Sequence, residues 1–206
     1  MKEVEAKFKI DDFSAIICKL STMGAKYLGR FLQTDTFFDK SGEIVQAGAG
    51  LRIRNLAQIE DLALVSEQIS AGKIIFDTIS GIEREFSQVT YKGPVEENIS
   101  AKVRAEYETE ISDANMLAKI FDALGYKPAV TIQKRRSKFQ LGSAHIELDE
   151  LPMIGEFVEI EAESVEVVNT LASQLGIASE HLKRSYLHLL QKKAHQLGKP
   201  IDKILF

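Results

Sequence analysis

Charged and apolar residues alternate through the first ten positions, MKEVEAKFKI, where Glu3, Glu5 and Lys7 interleave with Val4, Ala6 and Phe8. In an extended strand this spacing puts the charges on one face and the apolar groups on the other. The pattern returns in VRAEYETEI, where Arg104, Glu106, Glu108 and Glu110 alternate with Ala105, Tyr107 and Thr109. It returns again in EFVEIEAE, with Glu159, Glu161 and Glu163 against Val158, Ile160 and Ala162. Each stretch runs into a segment of helical spacing that ends in glycine: DDFSAIICKLSTMG, SDANMLAKIFDALG and SVEVVNTLASQLG. Asp11 or Asp12, Ser112 and Ser164 are the predicted N-caps, and Gly24, Gly125 and Gly176 the first residues past the helix ends. The chain therefore predicts a recurring unit, a strand with paired carboxylates followed by an amphipathic helix.

Between these units the pattern is mainly β. FLQTDTFFD at 31–39 alternates and is closed by the turn sequence KSGE. GAGLRIRN puts Arg52 and Arg54 on one strand face and Leu51 and Ile53 on the other. VTIQKRRSKFQL groups Lys134, Arg136 and Lys138, and AHIELDE groups His145, Glu147 and Asp149 before a turn through Pro152 and Gly155. Residues 55–90 carry mixed signals, a possible short helix in NLAQIEDLALVSEQIS and strands in KIIFDTI and EFSQVTY, ending in TYKGP with Lys92. Ser179 to Leu197 reads as a last helix with Leu182, Tyr186, Leu189, Leu190 and Leu197 buried and His181, His188 and His195 on the surface.

With 206 residues, 45% hydrophobic and 27% charged, the chain has the composition of a folded globular protein rather than a disordered one. A net charge of −4 gives no basic footprint for nucleic acid. No run approaches the ~18 apolar residues of a membrane span, and the start of the chain has no signal-peptide profile. The single cysteine, Cys18, is expected in the core of the first helix, which fits a reducing, cytoplasmic setting. One domain over 1–206 is expected, with an inserted segment at about 56–88.

Charge on one face of roughly eight strands is costly to bury unless paired, and closing the sheet turns those faces into a shared lumen, which about eight strands make wide enough for one small ligand. A lumen with Lys and Arg on part of its wall and carboxylates on the rest suits a linear polyphosphate with a divalent metal, the cations meeting phosphate oxygens and the carboxylates holding Mg²⁺ or Mn²⁺. Side-by-side guanidiniums repel unless anions meet them, and facing acids are expected to hold the basic wall together, so truncating Arg136 is expected to relieve some repulsion and to weaken triphosphate binding without lowering stability.

At these residues the chain resembles the CYTH family of triphosphate tunnel enzymes, which includes class IV adenylyl cyclases and thiamine triphosphatases. The resemblance rests on EVEAKF, LRIR, TYKGP, RAEYE, KRR, ELDE, GEFVEIE and RSYLHLL, in the family's order. It implies an α+β fold, a closed eight-stranded antiparallel barrel with surrounding helices. It also implies metal ligation by Glu3, Glu5, Glu106, Glu108, Asp149, Glu159 and Glu161. Triphosphate contacts fall to Lys7, Arg52, Arg54, Lys92, Arg104, Lys134 and Arg136, with Lys183 or Arg184 at the tunnel mouth. Glu3, Glu5, Lys7 and Arg136 form the implied catalytic set. TYKGP and DELPMIGEFVEIE resemble the cyclase branch, which converts ATP to cyclic AMP and pyrophosphate, while the longer 54–91 segment and Met153-Ile154 depart from the family pattern. A triphosphatase acting on inorganic triphosphate, thiamine triphosphate or a nucleotide is the alternative, and a non-catalytic polyphosphate-binding module a third. A homodimer is left open.

Overall fold

The computed structural model describes residues 4–59, 75–76, 85–94, 105–177, 180–182 and 184–206. Glu3, Arg104 and Lys183 therefore lie outside the described residues, as does most of the expected insertion.

The strands are β1 (Val4–Ile10), β2 (Lys26–Asp39), β3 (Gly50–Gln58), β4 (Ile75–Phe76), β5 (Glu85–Lys92), β6 (Glu106–Ile111), β7 (Lys127–Leu141), β8 (Ala144–Leu151), β9 (Gly155–Ala162) and β10 (Lys203–Ile204). Helices α1 (Phe13–Thr22), α2 (Glu43–Gln46), α3 (Ala114–Ala123), α4 (Val165–Gln174) and α5 (Tyr186–Gln196) connect or follow them. The three repeated units are β1–α1, β6–α3 and β9–α4. Their capping follows the residues: the side chains of Asp12 and Ser164 accept backbone N–H bonds at the starts of α1 and α4. At α3 the cap is Asp113, not Ser112, because its carboxylate accepts from the Met116 amide. Gly24, Gly125 and Gly176 all take positive φ (75°, 91° and 68°), the left-handed conformation in which a Cβ is strained.

Eight strands pair in the order β1-β9-β8-β7-β2-β3-β5-β6, every neighbouring pair antiparallel, while β4 and β10 add parallel to β2 and β7. The fold is α+β with a mainly antiparallel sheet. Among the described residues no ladder joins β6 to β1, so the expected closed barrel is here an open path; β6 is paired only with β5 and is exposed along nearly its whole length. Both ends of the expected 56–88 insertion are strand, since β3 runs to Gln58 and β5 begins at Glu85.

One face of the β1–β9–β8–β7 half is apolar and packs on α1 and α4. Phe8, Phe139, Ile146, Leu148, Val158 and Ile160 meet Ile16, Ile17 and Leu20 of α1 and Val168 and Leu171 of α4. This is the main core, and removing about 25 cal/mol per Å² of apolar surface from water is its driving force. Cys18 is exposed, contrary to the core position expected of it, because the buried stripe of α1 runs through Phe13, Ile16, Ile17, Leu20 and Ser21. The opposite, charged face is covered at one end by α5, whose Tyr186, Leu190 and Ala194 pack with Ile132, Leu151 and Phe157. Leu197, expected in that buried stripe, is exposed because α5 ends at Gln196, while His181, His188 and His195 are on the surface as expected.

Candidate functional site

Strand register decides which charges meet. Lys7 pairs across to Glu159, which pairs to Glu147, which pairs to Lys138. Glu5 pairs to Glu161 and that in turn to His145. Asp149 pairs to Arg136, Lys134 to Gln33, and Asp35 to Arg54. Arg52 pairs to Thr90 and that to Glu108, and at the far end Lys92 pairs to Glu106. Because side chains alternate along each strand, all these residues share one face.

Arg136 is the centre. Its Nε donates to Asp149 Oδ1 at 2.6 Å and its Nη2 to Asp149 Oδ2 at 2.5 Å, a bidentate pair, while Nη2 also donates to Glu159 Oε2 at 3.0 Å and Nη1 donates to Glu147. Lys134 Nζ donates to Asp149 Oδ2 at 3.3 Å. All of these residues are buried or nearly so. Burial lowers the Lys134 ammonium, and the neighbouring Arg136 charge adds to it, bringing its pKa to about 8 despite Asp149 and Glu159. Burial works against the Asp149 carboxylate, but Arg136 and Lys134 outweigh it and hold it below its ordinary value. The facing acids expected to hold the basic wall are present, but the expectation that truncating Arg136 leaves stability unharmed does not fit a guanidinium bound to three buried carboxylates.

A second knot lies on β2 and β3. Arg54 donates through Nε and Nη2 to the two oxygens of Asp35, at 2.6 and 2.8 Å, and Arg52 Nη1 is 3.6 Å from Asp35. Burial opposes the Asp35 charge, but the Arg54 hydrogen bond and charge, with Arg52, hold its pKa at about 2. Arg52 also reaches Thr90 and lies 3.8 Å from Glu108, to which Thr90 donates at 2.7 Å. Asp35 and Thr90 were not among the residues singled out from sequence; only the β2–β3–β5 register brings them to the arginines.

At the β1 end Lys7 pairs with Glu5 and lies 3.6 Å from Glu159. Burial lowers the Lys7 ammonium, with further repulsion from Arg136 and from Lys92. Lys92 pairs with Glu106 at 2.8 Å. Burial, together with the charges of Asp149 and Glu159, raises the Tyr186 phenol well above its ordinary pKa.

Of the expected residues, Lys7, Arg52, Arg54, Lys92, Lys134 and Arg136 share this face with Glu5, Glu106, Glu108, Asp149, Glu159 and Glu161. Among the described residues no three or more His, Cys, Asp or Glu side chains are arranged to hold a metal. Glu5, Glu106, Glu108, Asp149 and Glu159 each face a cation instead. Glu5 and Glu161 are directly opposite on adjacent strands, and two carboxylates with water and phosphate oxygens are the usual donor set of Mg²⁺, so this pair fits a divalent ion chemically. No helix of the described residues is long and apolar enough to cross a membrane.

Similarity to known proteins follows this geometry. Adenylate cyclase CyaB of Aeromonas hydrophila is 27% identical over 202 residues, covering 92% of this chain and 89% of its own. The solved structure of PH1819 from Pyrococcus horikoshii OT3 superposes with a TM-score of 0.70 at 25% identity, covering 93% of this chain and 99% of that one. HpAC1 from Hippeastrum, described as having a dominant triphosphatase activity, shares the fold with a TM-score of 0.58 at 17% identity, over 98% and 99% of the two chains. The CYTH domain signature matches residues 1–186, and the chain belongs to the CYTH domain family.

Proposed function

We propose that this chain is a divalent-metal-dependent enzyme that binds a triphosphate on the charged face and, as an adenylyl cyclase, converts ATP to cyclic AMP and pyrophosphate. The observation that carries the reading is the convergence of Lys7, Lys134, Arg136, Arg52 and Arg54 on one sheet face, each held by a carboxylate that an anionic substrate could displace or share. Forked guanidiniums and ammoniums in a partly dehydrated site suit phosphoryl oxygens. The similarity to a protein named adenylate cyclase supports the reaction type. In this reading the strands of residues 1–206 form one catalytic domain whose sheet wraps the substrate as a tunnel, in a cytoplasmic protein.

The residues divide the work. Lys7, Lys134 and Arg136 grip the central phosphates, Arg52, Arg54 and Lys92 the other end of the chain, and Arg104 and Lys183 complete the basic wall. Glu5 and Glu161, with Glu3, would hold Mg²⁺ or Mn²⁺, with Glu106, Glu108, Asp149 and Glu159 available around them. A bound divalent ion supplies charge neutralisation at the phosphate oxygens. Fixed cations align the triphosphate so that the ribose 3′-hydroxyl is in line with the α-phosphorus as pyrophosphate leaves, an orientation effect.

A triphosphatase is the second reading, favoured by the dominant triphosphatase activity of HpAC1. The protein is incubated with Mg²⁺ or Mn²⁺ and, separately, ATP, inorganic triphosphate and thiamine triphosphate. Cyclic AMP and pyrophosphate from ATP are expected. Phosphate released fastest from inorganic or thiamine triphosphate, with no cyclic product, would establish the hydrolase instead, and binding without turnover of any of the three would remove the enzyme reading.

A further inference from the structure

Tyr186 opens α5, where the Ser185 side chain accepts from the His188 amide and fixes the helix start. Its ring sits edge-on to Phe157, with centroids 5.3 Å apart at 64°, and the Leu182 amide just ahead of the helix donates to the Lys7 carbonyl at 2.6 Å. The ring is therefore locked between α5 and the charged face. Lys7 Nζ lies 5.6 Å and Lys134 Nζ 5.3 Å from its centroid, so one aromatic ring faces two ammoniums carried by β1 and β7, strands separated in the sheet by β9 and β8.

Tyr186 is only 7% exposed, and its hydroxyl faces the Asp149 carboxylate without completing a hydrogen bond of normal geometry. The nearest acceptors are already engaged: Asp149 receives Arg136 and Lys134, and Glu159 receives Arg136 and lies beside Lys7. A buried hydroxyl without a partner costs stability, and phenylalanine would fill the same apolar contacts without that cost.

We propose that Tyr186 is a substrate-contact residue whose hydroxyl donates a hydrogen bond to a non-bridging oxygen of the phosphate group shared by Lys7 and Lys134. This deepens the triphosphate reading and rests on it. It makes α5 part of the binding site as well as its end cover, because the helix start carries the donor. It also assigns a position to the substrate: the phosphate that Lys7 and Lys134 share lies beside the start of α5.

The test is Tyr186→Phe, read by calorimetric titration of inorganic triphosphate with Ca²⁺ and by thermal melting with and without it. Loss of one hydrogen bond to a charged oxygen predicts roughly tenfold or more weaker binding. Meanwhile the Tm of the ligand-free variant should equal or exceed that of the wild type. Equal affinity of variant and wild type would overturn the assignment. A marked fall in the ligand-free Tm would overturn it too, since it would mean that the hydroxyl has a structural partner. If the wild type itself fails to bind triphosphate, the functional reading falls and this inference with it, whereas wild-type binding with an unaffected variant removes only Tyr186.

Discussion

The same kinds of ion pair occur at the centre of the charged face and at its β5–β6 edge, yet the two regions differ in what surrounds them. At the centre Arg136, with its side chain 7% exposed, binds three carboxylates that come from β8 and β9, in the part of the sheet backed by α1 and α4. At the edge Lys92 meets Glu106 with side chains 27% and 42% exposed, on a strand paired on one side only. Water screens the second pair and cannot reach the first. The central charges are therefore pre-organised at a folding cost offset only by mutual pairing, whereas the edge charges are free to rearrange. A polyanion arriving at the centre finds donors already fixed in place, and at the edge it must recruit them.

The largest effect should come from breaking the centre. Arg136→Ala leaves Glu147, Asp149 and Glu159 with only the more distant Lys7, Lys134 and Lys138 ammoniums, and stability should fall by about 3–5 kcal/mol, as when one partner of a buried pair is removed. Denaturant unfolding checks this, and an unchanged midpoint would mean that water reaches the network.

The β2–β3 knot should respond to acid. The Asp35 carboxylate is held at about 2 against an ordinary 3.8, so its contribution is present above pH 4 and is lost as pH falls through about 2. At 1.36 kcal/mol per pKa unit this is about 2 kcal/mol. The stability gap between wild type and Asp35→Asn should be widest above pH 4 and narrow towards pH 2. A gap that does not change with pH would mean that Asp35 is held by packing, not by the arginines.

The smallest effect belongs to the edge, where Lys92→Ala or Glu106→Ala should change stability by less than about 1 kcal/mol. A loss as large as that of Arg136→Ala would erase the distinction between the two regions.

Much of this contrast was legible in the sequence and part of it was not. Alternation put Lys7, Arg52, Lys134 and Glu159 on charged strand faces, and the three glycines marked the helix ends. Which charges touch depended on register, which no local pattern contains. Asp35 reads as one polar residue in FLQTDTFFD until β3 sets Arg54 opposite it. Facing acids could be expected to hold the arginines, but which acid meets which arginine could not be read from the sequence. Cys18 follows Ile17 directly and so lies about 100° around the helix from it, turned off the buried stripe, a difference that composition alone could not show. Tyr186 looked like one more apolar position of the last helix, because its missing hydrogen bond exists only in three dimensions.

The most direct test of the central claim is calorimetric titration of inorganic triphosphate, with Ca²⁺ to block turnover, into wild type and Lys134→Met at pH 7 and pH 9. Lys134 has a pKa of about 8 and so is charged at the first pH and largely neutral at the second. Saturable wild-type binding at pH 7 is predicted, at least roughly tenfold tighter than that of the variant, as for a lost charge-assisted contact, with the ratio shrinking at pH 9. Absence of wild-type binding, or equal affinity of the two proteins at pH 7, would contradict a triphosphate site on this face.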